Sequence, residues 1–502
     1  MASYDAIVVG AGNGGMTAAL SLAMKDKKVL LLERHNIPGG CGTSFRRGRF
    51  EFEVALHQLS GMGSKENPGS LRRFMRKWEV EDEIEWVEMH QLYRVVYPGH
   101  VDLRLSTDMN EVIATLQEKY PTEKDAIAEY IRTCYLYAYQ EYKISMERDF
   151  DESMKEQYAL YLKYAGKTAE EVMNEFFQDP MLKLSLNMYW TYMGMKPSRM
   201  PFALMAGLTY VYQAEKPYHV IGGSQTMSNA FVNKFIQYGG EVRFNTPVKK
   251  ILVEDGRVKG VETADGDIFE STVVISNAST IDTYVNLIDD PAQVPEAEMK
   301  SLGSKDIGTS GFVIYLGLDA TPEELGIKDP LTIFYQTDDM EESFANAHSI
   351  EAGNCDMILS CYTLDDERYS PPGCTQLAIV TLSYADAWMA VPPEQYNDVK
   401  YKCAAELLEK AETLYPGLRD HIEEMEIATP LTFMRYLNHP GGAFYGFDQN
   451  LKDNPPFLPN RSAIDGLYFA GTWVGTCGFQ PTMMSGFKAA RVALKQMSKE
   501  GR

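Results

Sequence analysis

The sequence predicts an α/β protein in which a Rossmann-like domain is interleaved with a second domain of mixed sheet and helices. Near the start of the chain, a glycine-rich turn connects a short apolar run to a run rich in Ala and Leu. Short apolar runs bounded by turn signals, which are typical of buried strands, recur in the middle and near the end. No low-complexity linker appears between these regions. The length of 502 residues therefore predicts about two to four domains that are interleaved rather than strung in series.

The N-terminal region predicts a strand–turn–helix–strand unit. Residues 5–9 form a continuous apolar run, which is typical of a buried strand. Residues 16–24 are rich in Ala and Leu, which favour a helix. Residues 28–32 are again apolar and end in Glu33, so they predict a second strand.

The rest of the chain predicts a helical region followed by several strands. Residues 68–215 are rich in Glu, Lys, Tyr and Met with helix-like spacing in places, so we expect mostly helices there. Further along, apolar runs alternate with turn signals such as Asp255-Gly256 and Asp265-Gly266. The predicted strands lie at 241–275 (three or four short ones), 311–318, 376–384 and 467–470, and the predicted helices lie at 396–414 and 481–497.

The glycine-rich turn has the spacing of a dinucleotide-binding loop. Gly10, Gly12 and Gly15 form the pattern G-x-G-x-x-G around Asn13 and Gly14, between the first strand and the helix. The first glycine permits the tight turn, the second lets the backbone approach a pyrophosphate, and the third lets helix and strand pack closely. The helix N-terminus offers free N–H groups and a positive dipole end to the phosphates.

Glu33 follows the second predicted strand, where an acid is expected to bind a ribose. A carboxylate there accepts hydrogen bonds from the ribose and disfavours a 2′-phosphate, so FAD or NAD fits better than NADP. The strand, turn, helix and acid agree with one another. Together they favour dinucleotide binding over a glycine-rich turn with a purely structural role.

A second glycine-rich loop would bring backbone close to a cofactor beyond its adenosine half. Arg34 follows the acid, and the loop at 38–44 contains three further glycines. From this loop we expect cofactor contacts from Gly40, Thr43 and Ser44. Their small side chains allow a close approach of the backbone.

A third glycine-rich segment, at 466–472, lies near the C-terminus and precedes the last predicted helix. Proline is favoured in the first turn of a helix, so this helix is expected to begin near Pro481. Its dipole would then point at an isoalloxazine ring. The residues that this arrangement places at the cofactor are Gly471, Thr472, Thr482 and Met483.

These motifs together resemble a known family. In chain order they are the segment from Gly10 to Glu33 with Gly39-Gly40, then Gly222 to Gln225, Val273 to Ala278, Gly466 to Gly471, and Ser485 to Ala490. The chain resembles the FAD-dependent phytoene desaturases, carotenoid isomerases and retinol saturases, a branch of the amine-oxidase-like flavoproteins. Residues 50–57, which end in His57, are similar to the saturase branch. The resemblance covers most of the chain and is weakest at 68–185.

The resemblance implies FAD as the cofactor, with the backbone of Val248 at the adenine. Several positions depart from the family pattern, among them Gln58-Leu59-Ser60, which replaces a more aromatic stretch. Thr472 replaces an acid that in many members bonds the ribityl chain, and Glu53 replaces a usual Asp. The domains predicted from pattern and resemblance are an FAD-binding domain at 1–69, 216–300 and 426–502, and a substrate-binding domain at 70–215 and 301–425.

His57 and Tyr445 are the candidate catalytic residues. A flavin supplies the redox step on a C=C bond, and saturation or isomerisation often also needs a proton donor. His57 follows an apolar run and can donate a proton near neutral pH, and Tyr445 lies between Phe444 and Gly446, where a phenol can approach a ring. The alternatives are a structural histidine and a packing tyrosine. Cys477 is a poor nucleophile candidate because no basic residue adjoins it in sequence.

The apolar segment at 190–212 is rich in Met and Tyr. It predicts either the lining of a long channel for an apolar substrate or a shallow contact with lipid, because Met adapts to irregular apolar shapes. The alternative is an ordinary pair of core helices.

The sequence thus predicts an FAD-dependent oxidoreductase that acts on C=C bonds of a long apolar polyene or an isoprenoid or lipid-like substrate. Saturation, desaturation and isomerisation all remain open. The sequence contains no second dinucleotide fingerprint and therefore predicts no dedicated NAD(P)H domain. An external electron donor or acceptor is thus a possible partner. One alternative is an amine-oxidase-type flavoenzyme acting on C–N bonds, which would need a compact aromatic cage. The other is a flavin-free prenyl-binding escort protein on the same fold, which the intact glycine triplet disfavours.

Composition excludes other classes. The net charge of −22 argues against nucleic-acid binding and against long-range attraction to anionic lipid. The seven dispersed Cys are typical of reduced cytosolic thiols, and no metal-ligand spacing appears. No secretory signal is evident, and the longest mostly apolar run, 200–212, is shorter than the ~20 residues needed to span a bilayer. We expect a cytoplasmic protein with at most peripheral membrane contact, and the oligomeric state stays open.

Overall fold

The computed structural model describes residues 2–145, 151–451, 457–475 and 478–499. The strands within these ranges are β1 (Ala2–Ser3), β2 (Ala6–Val9), β3 (Val29–Leu32), β4 (Ser44–Arg47), β5 (Phe50–Glu53), β6 (Trp86–Glu88), β7 (Gln91–Tyr97), β8 (Val101–Ser106), β9 (Tyr218–Val220), β10 (Glu241–Arg243), β11 (Val248–Glu254), β12 (Arg257–Thr263), β13 (Ile268–Glu270), β14 (Val274–Ser276), β15 (Ser310–Leu318), β16 (Leu331–Phe334), β17 (Met357–Cys361), β18 (Thr375–Ser383), β19 (Ile422–Ala428) and β20 (Leu467–Phe469).

The helices within the same ranges are α1 (Asn13–Ala23), α2 (Ser70–Lys77), α3 (Met109–Lys119), α4 (Lys124–Ile144), α5 (Ala159–Tyr164), α6 (Ala169–Phe176), α7 (Pro180–Leu186), α8 (Tyr189–Met193), α9 (Phe202–Gln213), α10 (Gly223–Gln237), α11 (Thr280–Asp282), α12 (Glu296–Gly303), α13 (Met340–Ala347), α14 (Ala385–Met389), α15 (Tyr396–Leu414), α16 (Pro430–Leu437) and α17 (Phe479–Lys499). None of them is long and apolar enough to cross a membrane.

A five-stranded parallel sheet with the order β10-β3-β2-β14-β20 carries the predicted dinucleotide loop. Its strands come from the N-terminal, middle and C-terminal parts of the chain, as the interleaved arrangement predicts. The central strand β2 pairs through Val8 with Leu31 on one side and with Ile275 on the other. Between β2 and β14 the strand order reverses direction, which is where ligands bind in open α/β sheets. The predicted α/β fold class is confirmed.

A four-stranded sheet with the order β1-β13-β12-β11 adjoins this unit. Its strand β1 pairs in parallel with β13, and the other two pairs are antiparallel. This sheet brings Val248, at the start of β11, to the wall of the cavity described below.

The second large sheet has seven strands in the order β19-β15-β18-β17-β16-β7-β8. All of its pairs are antiparallel except β16 with β7. Alternate residues along β15 face two different cores. Tyr315 faces the core that includes α4, α6 and α9, whereas Ile314 faces the core that includes α15. The sheet is therefore covered on both faces.

Two expectations about this region are corrected. Residues 86–106 lie within the stretch expected to be mostly helical, but they form β6, β7 and β8. The predicted boundary at 426 falls inside β19, which pairs with β15 in the seven-stranded sheet. Its run of acids hid this edge strand, because Glu has low β-propensity. In the fold, Glu423 and Glu426 pair with Arg49 and Arg47.

Helix ends also differ from those predicted. Helix α15 has the predicted bounds, but α1 begins at Asn13 and α17 begins at Phe479. The first turns of these two helices contain Gly14 and Gly15 or Pro481, and residues of low helix propensity make a helix start difficult to predict from sequence. Proline fits the first turn of a helix because the N–H groups there have no helical acceptor, so Pro481 lies inside the turn and not at its first position.

Candidate functional site

The glycine-rich turn presents the start of α1 to a cavity. Gly10 has a φ of +92°, which favours glycine, and a Cβ on Gly15 would overlap the carbonyl oxygen of Gly10. Gly12 caps α1, and no side chain satisfies the first turn. The N–H groups of Asn13, Gly14 and Gly15 therefore have no acceptor within the helix. This geometry suits a pyrophosphate.

Glu33 lies on the cavity wall at the end of β3. One of its carboxylate oxygens accepts a hydrogen bond from the backbone N–H of Ala11 at 2.7 Å, and the other accepts from the N–H of His35 at 2.8 Å. These bonds fix the carboxylate. A carboxylate has about four lone-pair sites, so it can still accept hydrogen bonds from a ribose. Val248 lines the same cavity.

The loop after Glu33 lies beside the first glycine turn. A Cβ on Gly40 would lie 3.4 Å from the Cα of Gly12, and both residues line the cavity. Arg34 also lines the cavity, and its guanidinium donates to the carbonyl oxygens of Arg435 and Tyr436 at 2.7 and 2.5 Å. These bonds tie the loop to the last turn of α16.

Thr43 and Ser44 are placed differently from the expectation, because neither lines the cavity. The Thr43 hydroxyl donates to Gln225 at 2.5 Å, and the Ser44 hydroxyl donates to Glu51 at 2.5 Å. Both hydroxyls thus hold the loop to α10 and β5, and their contacts are structural.

Asn277 stands at the point where the sheet order reverses. Its N–H donates to the carbonyl oxygen of Val9 at 2.8 Å. Its side chain lies 2.8 Å from the position of a Cβ on Gly12 and 2.7 Å from that of a Cβ on Gly471, which has a φ of +97°. Sequence reasoning included Asn277 only within a motif of the resemblance. The residue type alone gave no signal for its bridging role.

Three buried oxygens at this end of the cavity have no hydrogen-bond partner in the described part of the chain. They belong to the side chains of Asn13, Asn277 and Thr472, all of which line the cavity. Buried polar atoms are rarely left unpaired. These oxygens fit a polar ligand that supplies hydrogen-bond donors.

The start of α17 corrects one expectation about Thr482. The residue lines the cavity, but its N–H donates to the carbonyl oxygen of Gly478 at 3.1 Å. Its N–H is therefore the first helical donor and not a free one. Since Pro481 has no N–H, the N–H groups of Phe479 and Gln480 are the ones in this turn that have no acceptor within the helix. The sequence placed the start of the helix two residues too late.

Met483 does not line the cavity and is fully buried where α1 packs against α17. Its carbonyl oxygen accepts a hydrogen bond from the Thr17 hydroxyl at 2.8 Å. A Cβ on Gly486 would overlap the carbonyl oxygen of Gly14, so the two helices approach very closely. Met483 therefore joins the helices and does not contact the cavity. Cys477 lies outside the described residues.

The cavity has a volume of about 1120 Å³ and continues from the dinucleotide loop to α8 and α9. This exceeds the ~300–1,000 Å³ typical of single small-ligand sites. Within the segment 190–212, one set of residues lines the cavity and another set, including Phe202 and Met205, packs in the core. The segment thus has one face on the cavity and another in the core, and its contact with a substrate or with lipid stays a prediction. The lining residues include Tyr192, Met193, Leu204, Leu208, Val211 and Tyr212.

His57 borders the cavity and faces two hydroxyls. Its Nδ1 lies 2.9 Å from the hydroxyl of Ser360 and 2.9 Å from that of Tyr362. Burial lowers the pKa of His57 to about 4. The ring is therefore neutral at pH 7 and can donate only from its single N–H, and its role as a proton donor stays a prediction.

Tyr445 also lines the cavity, although it is far from His57 in the sequence. Its ring meets that of Phe444 edge-on, with centroids 6.1 Å apart. Phe444 in turn meets Phe433 at 4.6 Å. The fold thus brings both candidate catalytic side chains to one cavity.

Comparison with known proteins decides the family. The model of the family described as "Flavin containing amine oxidoreductase" matches residues 14–494. The chain belongs to the flavin-containing amine oxidoreductase family. FAD is its cofactor, as predicted, and the unpaired oxygens at the dinucleotide loop fit such a group.

The individual relatives of this flavoprotein share about a quarter of its residues or fewer. A prolycopene isomerase of Arabidopsis thaliana is 26% identical, over 99% of this chain and 84% of its own length. An all-trans-retinol 13,14-reductase of Danio rerio is also 26% identical, over 98% of this chain and 86% of its own length. A solved structure of an oxidoreductase from Methanosarcina mazei is 17% identical with a TM-score of 0.66, and the match covers 97% of this chain and 99% of that one. The last comparison supports the fold.

Proposed function

We propose that this flavoprotein acts on C=C bonds of a long apolar polyene or isoprenoid substrate, by saturation, desaturation or isomerisation. The observation that carries the proposal is the continuous cavity, which joins the dinucleotide loop to an apolar wall. The two relatives named above act, by their names, on prolycopene and on all-trans-retinol. Both names support an apolar polyene as the substrate class.

Different residues along this cavity have different proposed roles. The first turn of α1 would hold the pyrophosphate of FAD, and Glu33 would hold a ribose. Bound FAD supplies the hydride transfer that the chemistry requires. The wall formed by Leu204, Leu208 and Val211 binds the apolar chain and excludes water. Such exclusion keeps water from competing for a transferred proton.

Any proton needed at the substrate would come from Tyr445 or from the one N–H of neutral His57. Both side chains border the cavity, and the surrounding protein disfavours the charged form of His57. We propose a neutral donor rather than an imidazolium. An external electron donor or acceptor completes the cycle if the reaction has net redox turnover, and we propose a cytoplasmic or membrane-peripheral location.

An anaerobic turnover assay tests the proposal. The flavin-loaded protein, oxidised in one series and chemically reduced in the other, is mixed with a panel of polyenes and of primary amines. Products are scored by mass and by retention time. Gain of two hydrogens indicates saturation, loss of two indicates desaturation, and a shifted retention time at unchanged mass indicates isomerisation. Unchanged polyenes together with amine-dependent flavin reduction would favour the amine-oxidase alternative, which the family description supports.

A further inference from the structure

One carboxylate on the cavity wall lies outside the dinucleotide loop and has no assigned role. Glu33, Asp282 and Glu141 line the cavity in the described parts of the chain. Glu33 accepts two backbone hydrogen bonds, and Asp282 accepts from the side chains of Asn286 and Asn438. Glu141 has no ion-pair or hydrogen-bond partner for its side chain among the described residues. It is the carboxylate that remains to be explained.

Glu141 lies one helical turn after a tyrosine that packs against the start of α9. It follows Tyr137 by four residues on α4, so the two side chains share one helix face. The Tyr137 ring packs against Tyr161, with centroids 5.5 Å apart, and against Phe202, with centroids 5.1 Å apart. Tyr161 lines the cavity with Glu141, and Phe202 is the first residue of α9.

The opposite end of α9 meets the aromatic part of the cavity. Tyr212 lies there with its ring 5.9 Å from that of Tyr192, and both line the cavity. Between the two ends, the cavity face of α9 presents Leu204, Leu208 and Val211. From residue 204 to residue 211 the helix rises by about 10 Å, at ~1.5 Å per residue. An apolar wall thus separates Glu141 from the tyrosine pair.

The surroundings of Glu141 disfavour an isolated charge. Burial raises its pKa to about 7, and desolvation is the cause. A partly buried carboxyl group without a partner gains free energy when a ligand donates a hydrogen bond to it. Both the neutral and the ionised carboxyl group can accept such a bond.

We propose that Glu141 is a specificity-determining residue that accepts a hydrogen bond from a terminal hydroxyl group of the apolar substrate. This inference rests on the proposed function, since it assumes that the cavity holds a polyene or isoprenoid. The substrate class is then a long isoprenoid or polyene alcohol, with its hydroxyl at the start of α9 and its chain along the wall towards Tyr192. A hydrocarbon end at the same place leaves the carboxyl group desolvated and unpaired.

A neutral hydroxyl fits this site better than an ammonium group. An ammonium would bring a second charge into an apolar wall, and the desolvation of two charges offsets much of their attraction. A site that hydrogen-bonds a hydroxyl discriminates against the analogue that lacks it, because its own polar group is then left without a partner.

Binding measurements on variants of the FAD-loaded protein test this role. The probes are geranylgeraniol, the matching hydrocarbon that ends in a methyl group, and geranylgeranylamine. Dissociation constants come from the change in flavin fluorescence. The variants are Glu141→Leu and Glu141→Gln, with Glu129→Leu as the control because Glu129 is exposed on the same helix.

We expect the unmodified protein to bind the alcohol about tenfold more tightly than the hydrocarbon, a ratio typical of one hydrogen bond to a carboxylate. Glu141→Leu abolishes this ratio, Glu141→Gln keeps part of it because the amide oxygen still accepts, and Glu129→Leu keeps all of it. Flavin content reports that each variant is folded.

The outcomes separate this inference from the proposed function. If Glu141→Leu keeps the preference of the unmodified protein for the alcohol, or if the unmodified protein binds alcohol and hydrocarbon equally, the role of Glu141 is refuted while the isoprenoid site stands. Tightest binding of the amine also refutes it, in favour of a cation site. If no probe binds to the unmodified protein, the proposed isoprenoid class itself fails.

Discussion

Replacing His57 with phenylalanine tests whether this cavity residue is neutral at working pH. Its pKa of about 4 lies below the ordinary value of about 6.5. At about 1.4 kcal/mol per pKa unit, charging the ring in the folded protein costs about 3.5 kcal/mol more than in the unfolded chain. Because the folded pKa is lowered, stability is unaffected above pH 6.5 and falls as the pH drops towards 4.

The assay is an NMR titration of the imidazole resonances, combined with urea unfolding between pH 7 and 4. His219→Phe is the matched control, because burial also lowers the pKa of His219 to about 4 and His219 does not line the cavity. Each variant should remove the resonance of one imidazole ring that stays neutral down to about pH 4. Each should also reduce the loss of stability that acid causes. Only His57→Phe should alter turnover. A His57 resonance that titrates near pH 6.5 would refute the reasoning.

Two other substitutions test the flavin end and the apolar end of the cavity independently. Gly12→Val places a side chain beside Asn277 at the pyrophosphate position, so the protein should purify without its flavin absorbance. Gly303→Val, at a glycine with open space around it, should keep the full absorbance, and a yellow Gly12→Val protein would contradict the assignment. Leu208→Trp fills the apolar wall and should weaken polyene binding about tenfold or more at unchanged flavin content. The exposed Leu162→Trp should bind normally, and equal polyene affinity in both variants would exclude α9 from the site.

The sequence predicted the parts of the fold whose local signals agree with one another. The strand, glycine turn and helix of residues 6–23 appear in the expected order, although the helix begins three residues before the predicted start, because glycine spacing and apolar runs reinforce each other there. The distant strand β20 joined the same sheet, as the interleaved arrangement predicted. Strand β19 was not predicted. Its Glu423 and Glu426 form ion pairs with Arg49 and Arg47, which are far away in the sequence and come close only in the fold.

The candidate site was predictable where backbone geometry defines it and less so where side chains meet. Gly10, Gly12 and Gly471 line the cavity as expected, but Thr43 and Ser44 turn away from it to bond Gln225 and Glu51. No local pattern shows which way a short polar side chain turns. Asn277 lies in a motif of the resemblance, but nothing in that motif predicts its contacts with the glycine turns. Glu141 reaches the cavity through tertiary packing, and nothing in its sequence neighbourhood distinguishes it from ordinary polar residues.

The most direct test of the central claim is an experimental structure of the protein purified with its flavin and soaked with a polyene that does not react. We expect density for FAD along Gly12, Glu33 and Gly471, and density for the polyene between His57 and α9. Flavin density at the glycine turn with the polyene bound elsewhere would contradict the proposed substrate site. Absence of flavin from the glycine turn would contradict the account as a whole.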